Sequence, residues 1–203
     1  MVKTYITAIS LQGRGDLEKG AYQPEGFTLE HNRAVSFPII PIIAEYSPEG
    51  KHARVIAICA ENQDTKDNYD AFLEQLSEIG VTEEQVTVIS VREDQSKNVG
   101  LATMMKILDA IEDDSIVYAD ITFGTKPMAM YILYAAIFVE KLKDAEVDGI
   151  FYGEVPRVAS KIDWNRAKLY DLTVLKTLGD VIEEMKNLEI TDIRGTLQKL
   201  IDM

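Results

Sequence analysis

Five short apolar runs, each followed by a more polar or helix-patterned stretch, constrain this chain more than any other feature. "TYITAIS" (4–10), "ARVIAICA" (53–60), "QVTVISV" (85–91), "SIVYADI" (115–121) and "VDGIFYG" (147–153) are rich in Val, Ile and aromatics, and "AKLYDL" (167–172) adds a sixth. Runs this short and this continuously apolar are strands buried on both faces. Between them lie stretches with a 3.6-residue rhythm. "NYDAFLEQLSEIG" puts Tyr69, Phe72, Leu73, Leu76 and Ile79 on one stripe and closes on Gly80. "SKNVGLATMMKILDAIEDD" does the same with Leu101, Met104, Met105, Leu108 and Ile111, with Ser96 or Asn98 placed to cap its start. Strand alternating with helix predicts an α/β fold: a Rossmann-like, doubly wound, mostly parallel six-stranded sheet with helices on both faces.

The segment 11–50 fits that scheme less well. "LQGRGDLEKGAYQPEGFT" is long and polar for a strand-to-helix connection. "RAVSFPIIPIIAEY" has a helical rhythm but carries Pro38 and Pro41, so its helix must be kinked or start late. Residues 1–172 are read as the Rossmann-like domain. Residues 173–203 hold two helical patterns, "TVLKTLGDVIEEMKN" and "ITDIRGTLQKLIDM", which either complete the domain or lead to an effector domain.

Charge and composition narrow the function. With 21 Lys and Arg against 34 Asp and Glu, the chain carries a formal charge of −13, which argues against broad binding of duplex nucleic acid. A single cysteine, Cys59, permits no internal disulfide, fits a reducing cytoplasm and reads as an inert core thiol. The first ten residues lack the pattern of a signal peptide. The longest apolar run, Pro127 to Val139, is shorter than the roughly 20 residues a spanning helix needs. Only two histidines are present, His31 and His52, in no ligand spacing, so no metal site is expected. The acidic clusters Glu93-Asp94, Glu112-Asp113-Asp114 and Glu183-Glu184 read as solvated surface.

Ligands of an open α/β sheet bind beyond the carboxyl ends of its strands. Two loops at such ends stand out. After the first strand, "SLQGRGD" offers Gly13 and Gly15 for close backbone approach and Arg14 for a phosphate, although Glu18 stands where a dinucleotide fingerprint needs its third glycine. After the fourth strand, "DITFGTKPM" places Asp120 at the strand end, Gly124 in a tight turn and Pro127 in the first turn of an apolar helix. Thr122, Thr125 and Lys126 surround that helix start, and helix starts favour anions. The glycine-to-lysine spacing is not that of a nucleotide-triphosphatase loop. Two readings stay open: an anion site, or a helix capped by Thr125 beside a solvated lysine.

Several of these segments together resemble the CARF (CRISPR-associated Rossmann fold) family. The strand followed by "DITFGTKPM" and an apolar helix, then "EVDGIFYGEV", then "AKLYDLTVLKTLGDVIEEM", is similar to the branch in which a D-x-T-x-G motif opens the fourth helix. The opening "ISLQGRGDLEKGAYQP" resembles that branch's first strand and loop. Where many relatives carry His and Arg in the second motif, this chain has Phe123 and Lys126.

The resemblance implies a homodimer that binds a cyclic oligoadenylate, with four or six phosphates, across its two-fold axis in type III CRISPR antiviral signalling. Ser10, Gln12, Gly13 and Arg14 would supply one loop of the floor, and Thr122, Phe123, Gly124, Thr125 and Lys126 the other, with Phe123 either stacking on adenine or packing in the core. A sensor would pass a dimer rearrangement to an effector. A ring nuclease would cleave the messenger by metal-independent attack of a ribose 2′-hydroxyl, with Lys126 stabilising charge and Ser10 and Thr122 positioning. Apart from the resemblance, a nucleotide- or phosphosugar-binding enzyme or a flavodoxin-like carrier also suits the fold class.

Overall fold

The computed structural model describes residues 1–13, 17–159 and 161–187 together with positions 192, 195 and 198. The chain divides into two compact units, Met1–Leu172 and Thr173–Met203.

The first unit opens with β1 (Lys3–Ala8), a strand buried almost throughout. The long polar connection that follows contains β2 (Gln23–Glu25) and then α1 (Ile39–Tyr46). This helix starts late, as its two prolines require. Pro38 stands at the N-cap and Pro41 falls in the first turn, where a missing amide costs no intrahelical bond. Ile39, Ile40, Ile42 and Ile43 of α1 are fully buried, each worth about 1.5–3 kcal/mol of transfer free energy.

Next come β3 (Ala53–Ala60), α2 (Gln63–Ser77) and β4 (Val86–Val91). α2 begins several residues before its apolar stripe because Asn62 caps it, its side-chain oxygen accepting from Thr65 N–H at 2.8 Å. α3 (Lys97–Ala110) follows. Its N-cap is Ser96, yet the serine side chain makes no cap bond. Instead the Asp94 carboxylate accepts from both the Ser96 amide and the Ser96 hydroxyl. The unit closes with β5 (Ile116–Asp120), α4 (Lys126–Leu142), β6 (Glu146–Glu154), the hairpin β7 (Arg157–Val158) and β8 (Lys161–Ile162), and β9 (Lys168–Asp171).

The main sheet has seven strands in the order β2-β9-β6-β5-β1-β3-β4, one more than the six expected. The extra strand is β2, which lies in the polar segment 11–50 and lacks any apolar signature. β4, β3, β1, β5 and β6 run parallel, while β9 pairs antiparallel with β6 and parallel with β2. The sheet is therefore mixed. Strand direction alternates side chains between two cores. Tyr5, Val55 and Ala57 join α1 and α2 on one face, and Ile6, Ile56 and Ile58 join α3 and α4 on the other. Cys59 is buried, and burial pushes its thiol up to about 12, which keeps it protonated as a core group.

A helix as apolar all round as the stretch after Lys126 is expected to be buried in the core or in a subunit interface. One face of α4 is indeed packed, through Ile132, Ala135, Ala136 and Val139. The opposite face exposes Met130, Tyr134, Phe138 and Leu142, one large apolar residue per four positions.

In the second unit, α5 spans Val174–Asn187, and its backbone begins with Lys176 N–H donating to Thr173 C=O. The helix expected at 190–203 lies outside the described residues.

Candidate functional site

β1 sits between β3 and β5 in the sheet, so the chain winds away from it in both directions. The loops leaving β1 and β5 depart side by side from the carboxyl ends of adjacent strands. That crevice is where an open α/β sheet binds its ligand.

The loop after β5 is built around one buried carboxylate. Asp120 is fully buried and accepts from Thr7 Oγ1 of β1 at 2.8 Å and from Thr122 N–H at 2.9 Å. The Thr122 hydroxyl donates to the same carboxylate and accepts from Gly153 N–H of β6 at 2.7 Å. Burial drives the Asp120 carboxyl above the ordinary carboxylate range, against the lowering effect of its Thr122 and Thr7 hydrogen bonds. Asp120 thereby ties β1, β5 and β6 together at the end that carries the loops.

Gly124 makes the turn with φ of +90°, in the left-handed region. A Cβ there would also lie 3.1 Å from Ala8 Cβ. Thr125 then caps α4, its hydroxyl accepting from Met128 N–H at 3.4 Å, and Pro127 falls in the first turn. Lys126 is exposed and forms no ion pair among the described residues. Phe123 is half-buried and meets the Phe37 ring edge-on at 5.8 Å, so it packs against the core.

The loop after β1 is held from below by Asn68 of α2. Its amide donates to Ser10 C=O at 3.0 Å and to Gln12 C=O at 2.7 Å. Ser10 is fully buried, and its hydroxyl accepts from Gln12 N–H at 3.2 Å. Gln12 and Gly13 are half-buried beyond it, while Arg14 lies outside the described residues. The hydroxyls of Ser10 and Thr122 are thus engaged in shaping the two loops. Lys126 is left as the described cation of the set.

A cavity of about 290 Å³ opens between these loops and the starts of α3 and α4. Leu11, Gly124, Thr125, Met128 and Tyr131 line one side, and Arg92, Glu93, Asp94 and Gln95 the other. α3 and α4 each begin with an exposed lysine, Lys97 and Lys126. The Ser96 amide and hydroxyl hold the Asp94 carboxyl below its usual range, and Glu93 accepts from Asn62. Both carboxylates therefore have donors of their own. In the sequence this loop shows only the Glu93-Asp94 pair, read as solvated surface, and the capping candidates Ser96 and Asn98. An arginine beside two acids carries no spacing signal, and only the fold brings Arg92 to this rim.

Among the described residues, no group of three His, Cys, Asp or Glu side chains is placed to hold a metal ion. His31 instead lies 3.3 Å from Glu45.

Fold and site together define a Rossmann-like α/β domain with a crevice at its topological switch point. No family model matches the chain, and no curated protein matches it. Among solved structures it is similar to a point mutant of phosphofructokinase-2 from Escherichia coli, with 12% identity and a TM-score of 0.32. That match covers 68% of this chain and 58% of the other.

Proposed function

We propose that this chain is a sensor domain that binds a cyclic oligoadenylate at a homodimer interface and controls an effector in type III CRISPR antiviral signalling. The observation that carries the reading is the pairing of the two motif loops at the switch point. They lie side by side, with a lysine that forms no ion pair among the described residues at the head of a helix, in a protein whose formal charge is −13. A ring of phosphates needs a focused positive spot of that kind rather than a basic surface. Two-fold symmetry would double it, bringing two Lys126 ammonium groups and two helix starts to one ligand.

The exposed stripe on α4 supports the dimer. Tyr134 and Phe138 are 48% and 42% exposed, and α3, which packs against α4, adds exposed Leu101 and Met105. Large apolar residues in such number on one pair of helices mark an association surface. Light scattering is expected to report a dimer, and Phe138→Glu to convert it to a monomer with an unchanged circular dichroism spectrum. A wild-type monomer at micromolar concentration would count against the two-fold site.

Cleavage of the ring is the second reading, favoured by the same lysine, which would neutralise charge developing on the scissile phosphate. The engagement of Ser10 and Thr122 in the loop framework weighs toward binding. The test is a melting curve with cyclic tetra- and hexa-adenylate. At a hundredfold excess over Kd, binding adds about 2.7 kcal/mol, which is roughly 5–10 °C for a chain of this size. No shift with either ring would sink both readings. Chromatography of the ring after incubation separates them, since linear products appear only with cleavage. Lys126→Ala removes a charge-assisted contact from each subunit and is expected to weaken binding roughly 10–100-fold without lowering the melting temperature of the free protein.

A further inference from the structure

A second cavity, of about 430 Å³, opens beside the same loops and shares no lining residue with the first. Its walls include Gln12, Tyr22, Ser36, Phe123, Arg157 and Trp164. We propose that it is a binding site for a small anion carrying a planar heteroaromatic ring, the chemistry of a nucleoside monophosphate. It lies apart from the cavity at the head of α4 but takes Gln12, Thr122 and Phe123 from the floor loops of the proposed ring site.

Three observations converge on that chemistry. The first is an aromatic wall built at close quarters. Tyr22 and Trp164 meet edge to face at 5.5 Å, and Phe123 lines the same cavity. The Trp164 ring lies so close to Gly20 that a Cβ there would sit 1.9 Å from a ring carbon. Glycine is needed at that position for the wall to form.

The second is a pair of hydroxyl residues on the cavity wall. Tyr22 and Ser36 both line the cavity, and neither side-chain hydroxyl makes a hydrogen bond among the described residues. Hydroxyls that face a cavity and hold no protein partner are available to a ligand that enters it. Burial and, second to it, the Asp120 carboxylate push the Tyr22 hydroxyl up, so it remains a donor. A ring nitrogen or a carbonyl on a heterocycle offers the matching acceptor, and the side-chain amide of Gln12 can serve another edge.

The third is a cation at the mouth. The β7–β8 hairpin sets Arg157 opposite Ile162, and both line the cavity. Arg157 is exposed and forms no ion pair among the described residues, in a chain with a large excess of acid. A guanidinium in that position suits a phosphate or carboxylate entering from solvent. The Glu18 carboxylate also lines the cavity and accepts from Trp164 Nε1–H at 3.4 Å, which holds the indole in place.

Trp164 is the chain's one tryptophan, so its emission reports on this cavity. Titration with adenosine 5′-monophosphate is expected to change that emission saturably, with adenosine about tenfold weaker and inorganic phosphate without effect. Tyr22→Phe keeps the ring and the fold and is expected to weaken the nucleotide about 3–10-fold. Arg157→Gln is expected to erase the preference for the phosphorylated form. No saturable response at millimolar nucleotide, or equal binding by Tyr22→Phe, overturns the proposal. Lys126→Ala is expected to leave this response unchanged. If that variant abolished it, the nucleotide would belong to the head of α4, which overturns this inference while leaving the cyclic-oligoadenylate reading to its own melting test.

Discussion

Asp120→Ala is expected to cost the fold about 2–4 kcal/mol and to remove the ligand binding proposed for the crevice. The carboxylate holds the Thr7 hydroxyl, the Thr122 amide and the Thr122 hydroxyl. Hydrogen bonds to a charged group contribute about 1.5–3 kcal/mol each, offset here by the cost of burying the charge. Truncation leaves three donors without acceptors in a buried space. It also frees Thr122, whose hydroxyl accepts from Gly153 N–H and so couples the loop to β6. Asp120→Asn keeps one acceptor oxygen and is expected to lose about 1–2 kcal/mol. Urea denaturation checks both, and a loss below about 1 kcal/mol for the alanine variant would refute the role given to Asp120.

The pH dependence of the same residue has a definite sign. Burial raises the Asp120 carboxyl above its unfolded value, so the native state binds the proton more tightly than the unfolded chain does. Its contribution is fully present below the unfolded carboxylate value and is lost as pH rises through the raised native one. The stability gap between the wild type and Asp120→Asn is therefore expected to widen in favour of the wild type as pH falls across that window. A gap that narrowed would mean the carboxylate is favoured in its ionised form.

Phe37→Ala is the second large effect, with an expected loss of about 3–5 kcal/mol. Phe37 is fully buried and meets Phe72 of α2 edge-on at 4.9 Å and Phe123 at 5.8 Å. Truncation opens a cavity and also removes the support on which Phe123 rests, so the loop 121–125 loses order at the crevice. Phe37→Leu fills most of the space and is expected to recover more than half of the loss. Thermal unfolding followed by circular dichroism measures both. An alanine variant within about 1 kcal/mol of wild type would show that the aromatic cluster is not a support.

The parallel part of the sheet was legible because β1, β3, β4, β5 and β6 are short runs rich in Val, Ile and aromatics spaced by helical rhythm. Burial on both faces nevertheless fails at the edge strand β4, which exposes Thr87, Val88 and Ser90. β2 was not, because "QPE" has no apolar pattern. It is recruited through pairing with β9, a contact between residues some 145 positions apart that no local rhythm encodes. The turn at Gly124, the cap at Thr125 and the placement of Pro127 were readable because each follows a local backbone rule. The use of Ser10 and Thr122 within the framework was not readable. A hydroxyl's partner depends on what the fold brings near it, here Asp120, Gly153 and the loop's own Gln12 amide. The Tyr22 and Trp164 wall was hidden for the same reason, its residues being scattered from 20 to 164 in the chain.

The central position of β1 has a consequence for how the chain is made. The first strand to leave the ribosome needs β3 on one edge and β5 on the other, and its bond from Thr7 to Asp120 closes a separation of 113 residues. At roughly 5–20 residues per second, that gap is on the order of 6–20 s of synthesis. Throughout it, a nascent β1–β3–β4 sheet presents one raw edge to every other chain nearby, the geometry that invites mispairing. The same late-arriving strand that completes the crevice thus also covers that edge, and passes the open edge on to β5 until β6 follows.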